Sequence, residues 1–259
     1  MLALQILIDG FAISSLYALG AIGFTLIFGV SGVLNLSHGA IMVVAAVIAW
    51  WVAGTFGVGP YLGALAGVAA SLVCAFFTYR VIVRPIQNSG SIPKEEKEIF
   101  VLTATLLWGI MLQEAVAYFF TNNPKTVRPL MDGVVMILGV RTPWNEIVTA
   151  AVSWAAIGLL YLLVNRTRTG QSLLAASMNP RGLTLLGFEM TNIYVLVWAI
   201  YGILAGIAGV LLGAFLGVSS DNAGTLTAYL VSPSIRTIPV LLLLIAVVYV
   251  RPQGLLGRR

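Results

Sequence analysis

The chain has 259 residues, of which 59% are apolar and only 9% are charged, and its mean hydropathy is +1.00. The polar residues are too few to cover a soluble domain, and the apolar runs reach membrane-spanning length. The formal net charge of +5 comes from Lys and Arg near the ends of those runs, where the positive-inside rule explains them, so it does not indicate a nucleic-acid partner. The composition therefore predicts an all-α, polytopic membrane helix bundle that forms a single domain over residues 1–259.

The first apolar run follows no basic segment, exceeds the length of a signal-peptide core and leads to no convincing cleavage site. We therefore expect residues 1–28 to remain as a membrane span. In all we predict seven spans, most of them near the length that crosses ~30 Å of hydrocarbon. Their approximate ranges are Leu2–Phe28, Leu36–Gly54, Tyr61–Val83, Ile99–Phe120, Ile147–Val164, Ile193–Gly217 and Ile235–Val250.

Lys and Arg cluster after the third, fifth and last predicted spans. The positive-inside rule places these three connections in the cytoplasm, with the N-terminus outside and the C-terminus inside. The loop after the fourth span is then external, although it carries Lys125, Arg128 and Arg141.

A polar break, Ser31–Gly39, separates the first and second spans, where two glycines and four polar side chains interrupt the apolar pattern. A broken helix in a transporter exposes backbone groups and a helix N-terminus, which can meet a carboxylate. Asn35, Ser37 and His38 are therefore candidates to line a translocation path. The alternative is that Asn35 or Ser37 is an ordinary N-cap of the second helix and that His38 is satisfied in its first turn.

Two carboxylates, Asp9 and Glu114, also lie inside predicted spans, where any ionisable group is a candidate functional residue. Each is within about two or three turns of the predicted outer boundary, so the alternative is a carboxylate at the membrane interface. The chain has one histidine, one cysteine, no clustered carboxylates in its spans and no phosphate-binding glycine loop. It therefore predicts neither a catalytic site nor a metal or cofactor.

The external loop, about residues 121–146, is too polar and turn-rich to cross the bilayer. Its apolar stretch Val134–Val140 suggests a short strand pair, either to receive a partner outside or to cover helix ends. On the cytoplasmic side, Gln87–Glu98 has the mixed composition of a mobile linker.

A second cytoplasmic stretch, Thr169–Glu189, predicts two short helices that meet at a corner. Its leucines recur at helical spacing, Asn179 before Pro180 indicates an N-cap followed by the first helical position, and Gly187 ends the second helix. Such an element is suited to contact with a partner. The alternative is an amphipathic connector at the lipid interface.

Glycines recur on one face of the sixth span. The stripe consists of Gly202, Gly206, Gly209 and Gly213. Small faces of this kind let membrane helices approach closely, so we expect this span inside the bundle.

Three motifs, in the right order, resemble the permeases of branched-chain amino-acid ABC importers, a family with urea and amide relatives. Asn35-Leu-Ser-His-Gly39 resembles that family's Asn-Phe-Ala-His-Gly signature, with Leu36 and Ser37 in place of Phe and Ala. Arg168–Gly187 resembles its coupling region, except that Ser177–Arg181 lacks the acidic residue often found there. The tail Val250–Gly257 is similar to its closing Arg-Pro-x-Gly-Leu-x-Gly.

The resemblance implies a permease subunit in a bacterial-type inner membrane. Its expected partners are a second permease, two cytoplasmic ATPases and an external solute-binding protein. It also implies that the coupling region contacts an ATPase through Ala175, Ala176, Arg181 and Gly187. Because the chain has no nucleotide motif, ATP hydrolysis is expected on another polypeptide.

Two other transport classes remain as alternatives. An aquaporin-like channel would use Asn-Pro pairs such as Asn123-Pro124 and Asn179-Pro180, but these must lie on half-helices inside the membrane, and here a basic residue follows each pair. A secondary transporter predicts internal repeats, which are not evident.

The resembled family also has a long glycine-rich segment between the sixth span and the last helix, where this chain has a short one. We therefore expect a longer polypeptide, with a junction near Ser219–Thr225 and a mass above 27.5 kDa. In that case the glycine face of the sixth span should border a gap.

Overall fold

A computed structural model describes residues 2–120, 123, 125–137 and 139–217. Within these ranges the chain is almost entirely helical, with one short strand pair. The elements are α1 (Leu2–Ser31), α2 (His38–Thr55), α3 (Pro60–Phe77), a π-helical turn (Thr78–Val83), α4 (Arg84–Asn88), α5 (Lys94–Phe120), β1 (Val134–Ile137), β2 (Val140–Pro143), α6 (Trp144–Arg166), α7 (Arg168–Met178), α8 (Pro180–Leu185) and α9 (Met190–Leu216).

Six helical segments of the described chain are long and apolar enough to cross a membrane, which confirms the first six predicted spans. The predicted seventh span, the tail motif Val250–Gly257 and the junction near Ser219–Thr225 lie outside the described residues. The linker between α4 and α5 is shorter than predicted, because α5 already begins at Lys94.

The two ends of the bundle carry different elements. β1 and β2 pair antiparallel, with Val134 opposite Pro143, and α6 begins directly after β2. α6 then crosses the bundle and is followed by α7 and α8. We call the first side the hairpin end and the other the helix-pair end; both the strand pair and the helix pair were predicted from the sequence.

Helix α9 lies at the centre of the bundle, packed against α1, α2 and α3. All four glycines of its stripe are buried. Gly202 and Gly206 face backbone or side-chain atoms of α3, and a Cβ at Gly209 would collide with the carbonyl of Met42 on α2. The predicted gap is therefore absent beside Gly202, Gly206 and Gly209, because α2 and α3 fill the space there.

The span that begins at Pro60 contains a π-helical turn just before Pro85. Proline has no N–H to bond the carbonyl four residues earlier, and its ring crowds that carbonyl. A locally wider turn relieves this crowding, which explains why the helix continues through Thr78–Val83 in π-helical form and on to Asn88.

Candidate functional site

The polar break between α1 and α2 lies deep within the bundle. A Cβ at Gly20 of α1 would lie 3.9 Å from Nε2 of His38, and His38 also contacts Tyr201 of α9. Gly20 is eleven residues before the last residue of α1, and Tyr201 is eleven residues after the first residue of α9. The end of α1 and the start of α9 mark the helix-pair end of the bundle. At ~1.5 Å per residue, each separation of eleven residues places the start of α2 roughly 16 Å from that end, near mid-depth of a bilayer.

The polar side chains at the start of α2 bond to one another and to α9. Asn35 Nδ2 donates to the hydroxyl of Tyr201 at 3.1 Å, and that hydroxyl is 3.0 Å from His38 Nδ1. Because the tyrosine oxygen accepts from Asn35, its proton is available for His38 Nδ1, which leaves the imidazole N–H at Nε2, on the side of Gly20 in α1. Ser37 donates from its hydroxyl to Asn35 Oδ1 at 2.7 Å.

This network bears on the capping alternative. Ser37 is the N-cap residue of α2, but its side chain makes no capping bond and donates to Asn35 instead. Asn35 Oδ1 does accept the backbone N–H of Ser37. The alternative of Ser37 as a side-chain N-cap is therefore wrong, and Asn35 is the residue that satisfies backbone and side-chain donors at this helix start.

The candidate residues are buried in this conformation. Asn35 and Ser37 are 0% exposed and His38 is 6% exposed. Helix α5 closes the other side, since Thr105 Oγ1 accepts the N–H of Leu36 and a Cβ at Gly109 would lie 3.2 Å from the Cα of Ser37. The network thus joins α2, α5 and α9 at mid-depth.

The helix pair has one face in the bundle and one face outside it. Leu173 and Ala176 of α7 and Leu183 of α8 are buried in the core. The Asn179 side chain accepts the N–H of Gly182 at 2.9 Å, which confirms the predicted N-cap, and Gly187 has φ +85° where the pair ends. The corner is therefore held by the Asn179 cap and by the apolar side chains that α7 and α8 bury in the core.

Of the four predicted contact residues, Ala176 is buried and Ala175 is partly buried, whereas Arg181 and Gly187 are exposed. The outer face also carries large apolar side chains that the sequence analysis did not assign to contact. Their exposed fractions are 81% for Met178, 89% for Leu185 and 76% for Leu186. Helical spacing alone did not distinguish these exposed residues from the buried leucines of the same pair.

Tyr201 is the main residue that the sequence analysis missed. A tyrosine in the middle of an otherwise apolar span needs a hydrogen-bond partner for its hydroxyl, and that signal was available in the sequence. Its partners, Asn35 and His38, are more than 160 positions away along the chain.

The Asn-Pro pairs of the channel alternative do not lie where that class requires them. Asn179 is exposed at the corner of the helix pair, and Asn123 is exposed in the loop after α5. Neither is inside a membrane span.

A bundle of long apolar helices, with a polar helix break at mid-depth and a partly exposed helix pair at one end, defines a multi-pass membrane protein. The family model described as branched-chain amino acid transport system / permease component matches residues 6–248. The chain belongs to this family.

Curated relatives agree with the family. The high-affinity branched-chain amino acid transport system permease protein BraD of Pseudomonas aeruginosa is 28% identical over 236 residues, which cover 86% of this chain and 75% of the relative. The corresponding permease protein LivH of Escherichia coli is 26% identical over 85% of this chain and 74% of its own length. The ribose import permease protein RbsC of Escherichia coli is 26% identical over 82% of this chain and 62% of its own length. No solved structure matches the chain significantly.

Proposed function

We propose that this permease imports branched-chain or related small amino acids, or amide- and urea-like solutes, which an external binding protein delivers. Separate ATPase subunits supply the energy, and a second permease completes the membrane pathway. The α7–α8 pair carries this proposal, because it is anchored in the core and presents exposed apolar side chains beyond the spans.

The helix pair is proposed as the ATPase contact. The predicted residues Arg181 and Gly187 and the partly buried Ala175 belong to its surface, and the predicted Ala176 supports it from the core. The buried Ala176 would hold α7 in place, while Arg181, Gly187 and the exposed Met178 and Leu185 would meet the ATPase. Apolar side chains surrounded by polar groups are suited to an interface core with a polar rim.

The orientation of the protein follows from the same proposal. The helix-pair end carries Arg166, Arg168 and Arg181, and Arg80 and Arg84 lie near the end of the span that begins at Pro60. Positive residues favour the cytoplasmic side, so the helix pair would be inside and the hairpin end outside.

Asn35, Ser37 and His38 are proposed to belong to the translocation path. Their support is their mid-depth position at a helix start, where polar groups can pass a zwitterion without binding it tightly. Because Asn35 and Ser37 are fully buried here, transport would require α2 and α9 to separate at the Tyr201 contact.

Removing the polar groups of that contact should impair transport. We expect His38→Ala and Tyr201→Phe to lower substrate uptake about tenfold. His38→Ala leaves the buried Tyr201 hydroxyl without an acceptor for its proton, and Tyr201→Phe leaves Asn35 Nδ2 and His38 Nδ1 without a partner, at a cost of roughly 1–3 kcal/mol. Uptake and its pH dependence would be measured beside the thermal stability of each variant. If His38→Ala transports at the wild-type rate with unchanged pH dependence, His38 has only a structural role at the start of α2.

Substrate class can be tested with the binding protein that delivers the solute. The names of BraD and LivH favour a branched-chain amino acid, whereas that of RbsC raises a sugar. Competition of labelled leucine uptake by valine, urea, a short amide and ribose would separate these classes. Inhibition by ribose alone would overturn the amino-acid assignment.

The energy source distinguishes the proposed importer from a channel or a secondary transporter. In sealed vesicles that contain the permease and its partner subunits, uptake is expected to require internal ATP and to persist when ion gradients are collapsed. Uptake that is independent of ATP would favour a channel, and uptake lost with the ion gradients would favour a secondary transporter.

A further inference from the structure

A groove with apolar walls lies at the helix-pair end of the bundle, between α1, α6 and α7, and has a volume of about 340 Å³. Its first wall comes from residues 21–30, within the last eleven residues of α1. Its second wall is Leu160 and Val164, close to the last residue of α6. Three residues of α7 form the third wall: Leu173, Leu174 and Ser177.

The lining of the groove offers no free hydroxyl proton to a polar ligand. Thr25 and Ser177 are the only lining residues with polar side chains. Thr25 Oγ1 donates to the carbonyl of Ala21 at 2.7 Å, and Ser177 Oγ donates to the carbonyl of Leu174 at 2.8 Å. Because both hydroxyls are bonded within their own helices, the groove suits hydrocarbon.

The groove is open on its outer side. Thr25 and Gly29 of α1 and Leu174 of α7 are exposed, and no atom lies within 4 Å of a Cβ added to Gly29. Since α1 and α6 are both long and apolar enough to cross the membrane, an opening between them faces lipid. The occupant is therefore expected to come from the bilayer.

The dimensions of the groove match one lipid chain in one leaflet. Residues 21–30 of α1 rise about 14 Å along the helix axis, which is close to half of the ~30 Å hydrocarbon core. A volume of about 340 Å³ spread over that length corresponds to a channel roughly 5 Å wide, whereas a helix with its side chains is ~10 Å across. A single acyl chain fits this channel better than another helix does.

Positive charge lies where the groove reaches the helix-pair end. Residues 165–188 include three arginines and no acidic residue. Arg166 ends α6 two residues beyond Val164, and Arg168 begins α7. Both side chains are exposed, and neither forms an ion pair within the part of the chain that the structure describes. The charge at this end of the groove is therefore complementary to an anionic headgroup.

We propose that the groove binds one acyl chain of an anionic phospholipid and that Arg166 and Arg168 bind its phosphate. Arginine is suited to phosphate because its planar guanidinium donates two parallel hydrogen bonds. Basic pockets between membrane helices recognise anionic headgroups in this way. The bound chain would fill the space between α1, α6 and α7, at the corner from which the helix pair begins. The site is separate from the mid-depth network and independent of the proposed import function.

The lipid retained by the purified full-length chain tests this site without a transport assay. The protein would be mixed in detergent with equimolar phosphatidylglycerol and phosphatidylcholine that carry the same acyl chains, and the bound lipids would be counted by native mass spectrometry. One phosphatidylglycerol per chain is expected to remain after washing. Its preference over phosphatidylcholine should be roughly 20-fold, since each of two arginines near an anionic headgroup contributes about fivefold.

Gly29→Phe should abolish the retained lipid, because the added ring would occupy the groove without meeting a protein atom at its Cβ. Gly10→Phe is the matched control. Gly10 lies in the same helix, outside the groove, and also has no atom within 4 Å of an added Cβ. Gly10→Phe should therefore keep the lipid.

Replacing Arg166 and Arg168 together by glutamine should leave a lipid in the groove but remove most of the preference for phosphatidylglycerol. The matched control replaces Arg128 and Arg141 by glutamine, since both are exposed arginines in the connection between α5 and α6, at the other end of the bundle. That control should keep the preference. Because the four arginines are exposed, these variants keep the test decisive if Gly29→Phe fails to fold.

Four results would overturn the proposal. Wild-type protein that retains no lipid would show that the groove is filled otherwise, and equal retention of both lipids would show that no headgroup is recognised. An unchanged lipid preference after replacement of Arg166 and Arg168 would place the headgroup elsewhere. A change of oligomeric state in Gly29→Phe, with the lipid still bound, would assign the groove to a second copy of the chain.

Discussion

Gly187→Trp is expected to abolish substrate-stimulated ATP hydrolysis while the permease remains folded and inserted. Gly187 is exposed, and no atom lies within 4 Å of an added Cβ, so the bundle itself has room for the larger side chain. An indole there would occupy the surface on which the ATPase is proposed to dock. If the lost interface contact is worth about 2 kcal/mol or more, the affinity of the ATPase for this surface falls at least roughly 30-fold, and coupling falls with it.

The positive φ of Gly187 requires a control, because a side chain in this conformation strains the backbone by roughly 1–2 kcal/mol wherever it occurs. Gly57 has φ +62°, no atom within 4 Å of an added Cβ, and a position in the turn between α2 and α3 at the opposite end of the bundle. Gly57→Trp therefore carries the same strain and bulk and should retain coupling.

Leu185→Asp tests the same surface without backbone strain, because this side chain is 89% exposed in α8. It is expected to reduce coupling as well. ATPase activity would be measured in the assembled transporter with and without the loaded binding protein. Normal coupling in both Gly187→Trp and Leu185→Asp would favour the amphipathic connector at the lipid interface.

Gly209→Leu is expected to prevent the permease from folding into a stable bundle. The added Cβ would collide with the backbone carbonyl of Met42, and a backbone atom cannot move aside as a flexible side chain does. Overpacking of a core costs roughly 1–3 kcal/mol where side chains can adjust, and we expect more here because α2 and α9 must separate.

Gly158→Leu is the matched control, since Gly158 lies within a membrane helix, α6, with no atom within 4 Å of an added Cβ. Expression level, elution as a single species in detergent and unfolding temperature would be compared for the two variants. An unfolding temperature of Gly209→Leu equal to that of Gly158→Leu would contradict the close approach of α2 and α9.

The features predicted correctly from the sequence are those with local causes. Six spans follow from apolar runs long enough to cross the bilayer. The corner of the helix pair follows from Asn179 before Pro180, and its capping bond joins residues three positions apart. The strand pair follows from a short apolar stretch between turn residues, although β2 extends to Pro143, beyond the predicted stretch.

The features that the sequence did not reveal depend on distant contacts. Asn35 was identified as a candidate, but its bond to Tyr201 spans 166 positions. His38 was identified as a candidate too, but its Nδ1 lies 3.0 Å from the hydroxyl of Tyr201, which is 163 positions away. The gap predicted beside the glycine face is filled at Gly202, Gly206 and Gly209 by α2 and α3, and the sequence does not state which helices pack there.

By itself, the sequence determined that this protein is a multi-pass helical membrane protein with a polar break between its first two spans and a helix pair after the fifth. Those properties depend on hydrophobic length and helix capping, which act over a few turns of one segment. Only the tertiary structure decided that the break lies at mid-depth against Tyr201 and that Thr105 of α5 bonds the backbone of Leu36 within it. The physical reason is that such contacts depend on how separate helices pack against one another, which the pattern within any one helix does not contain.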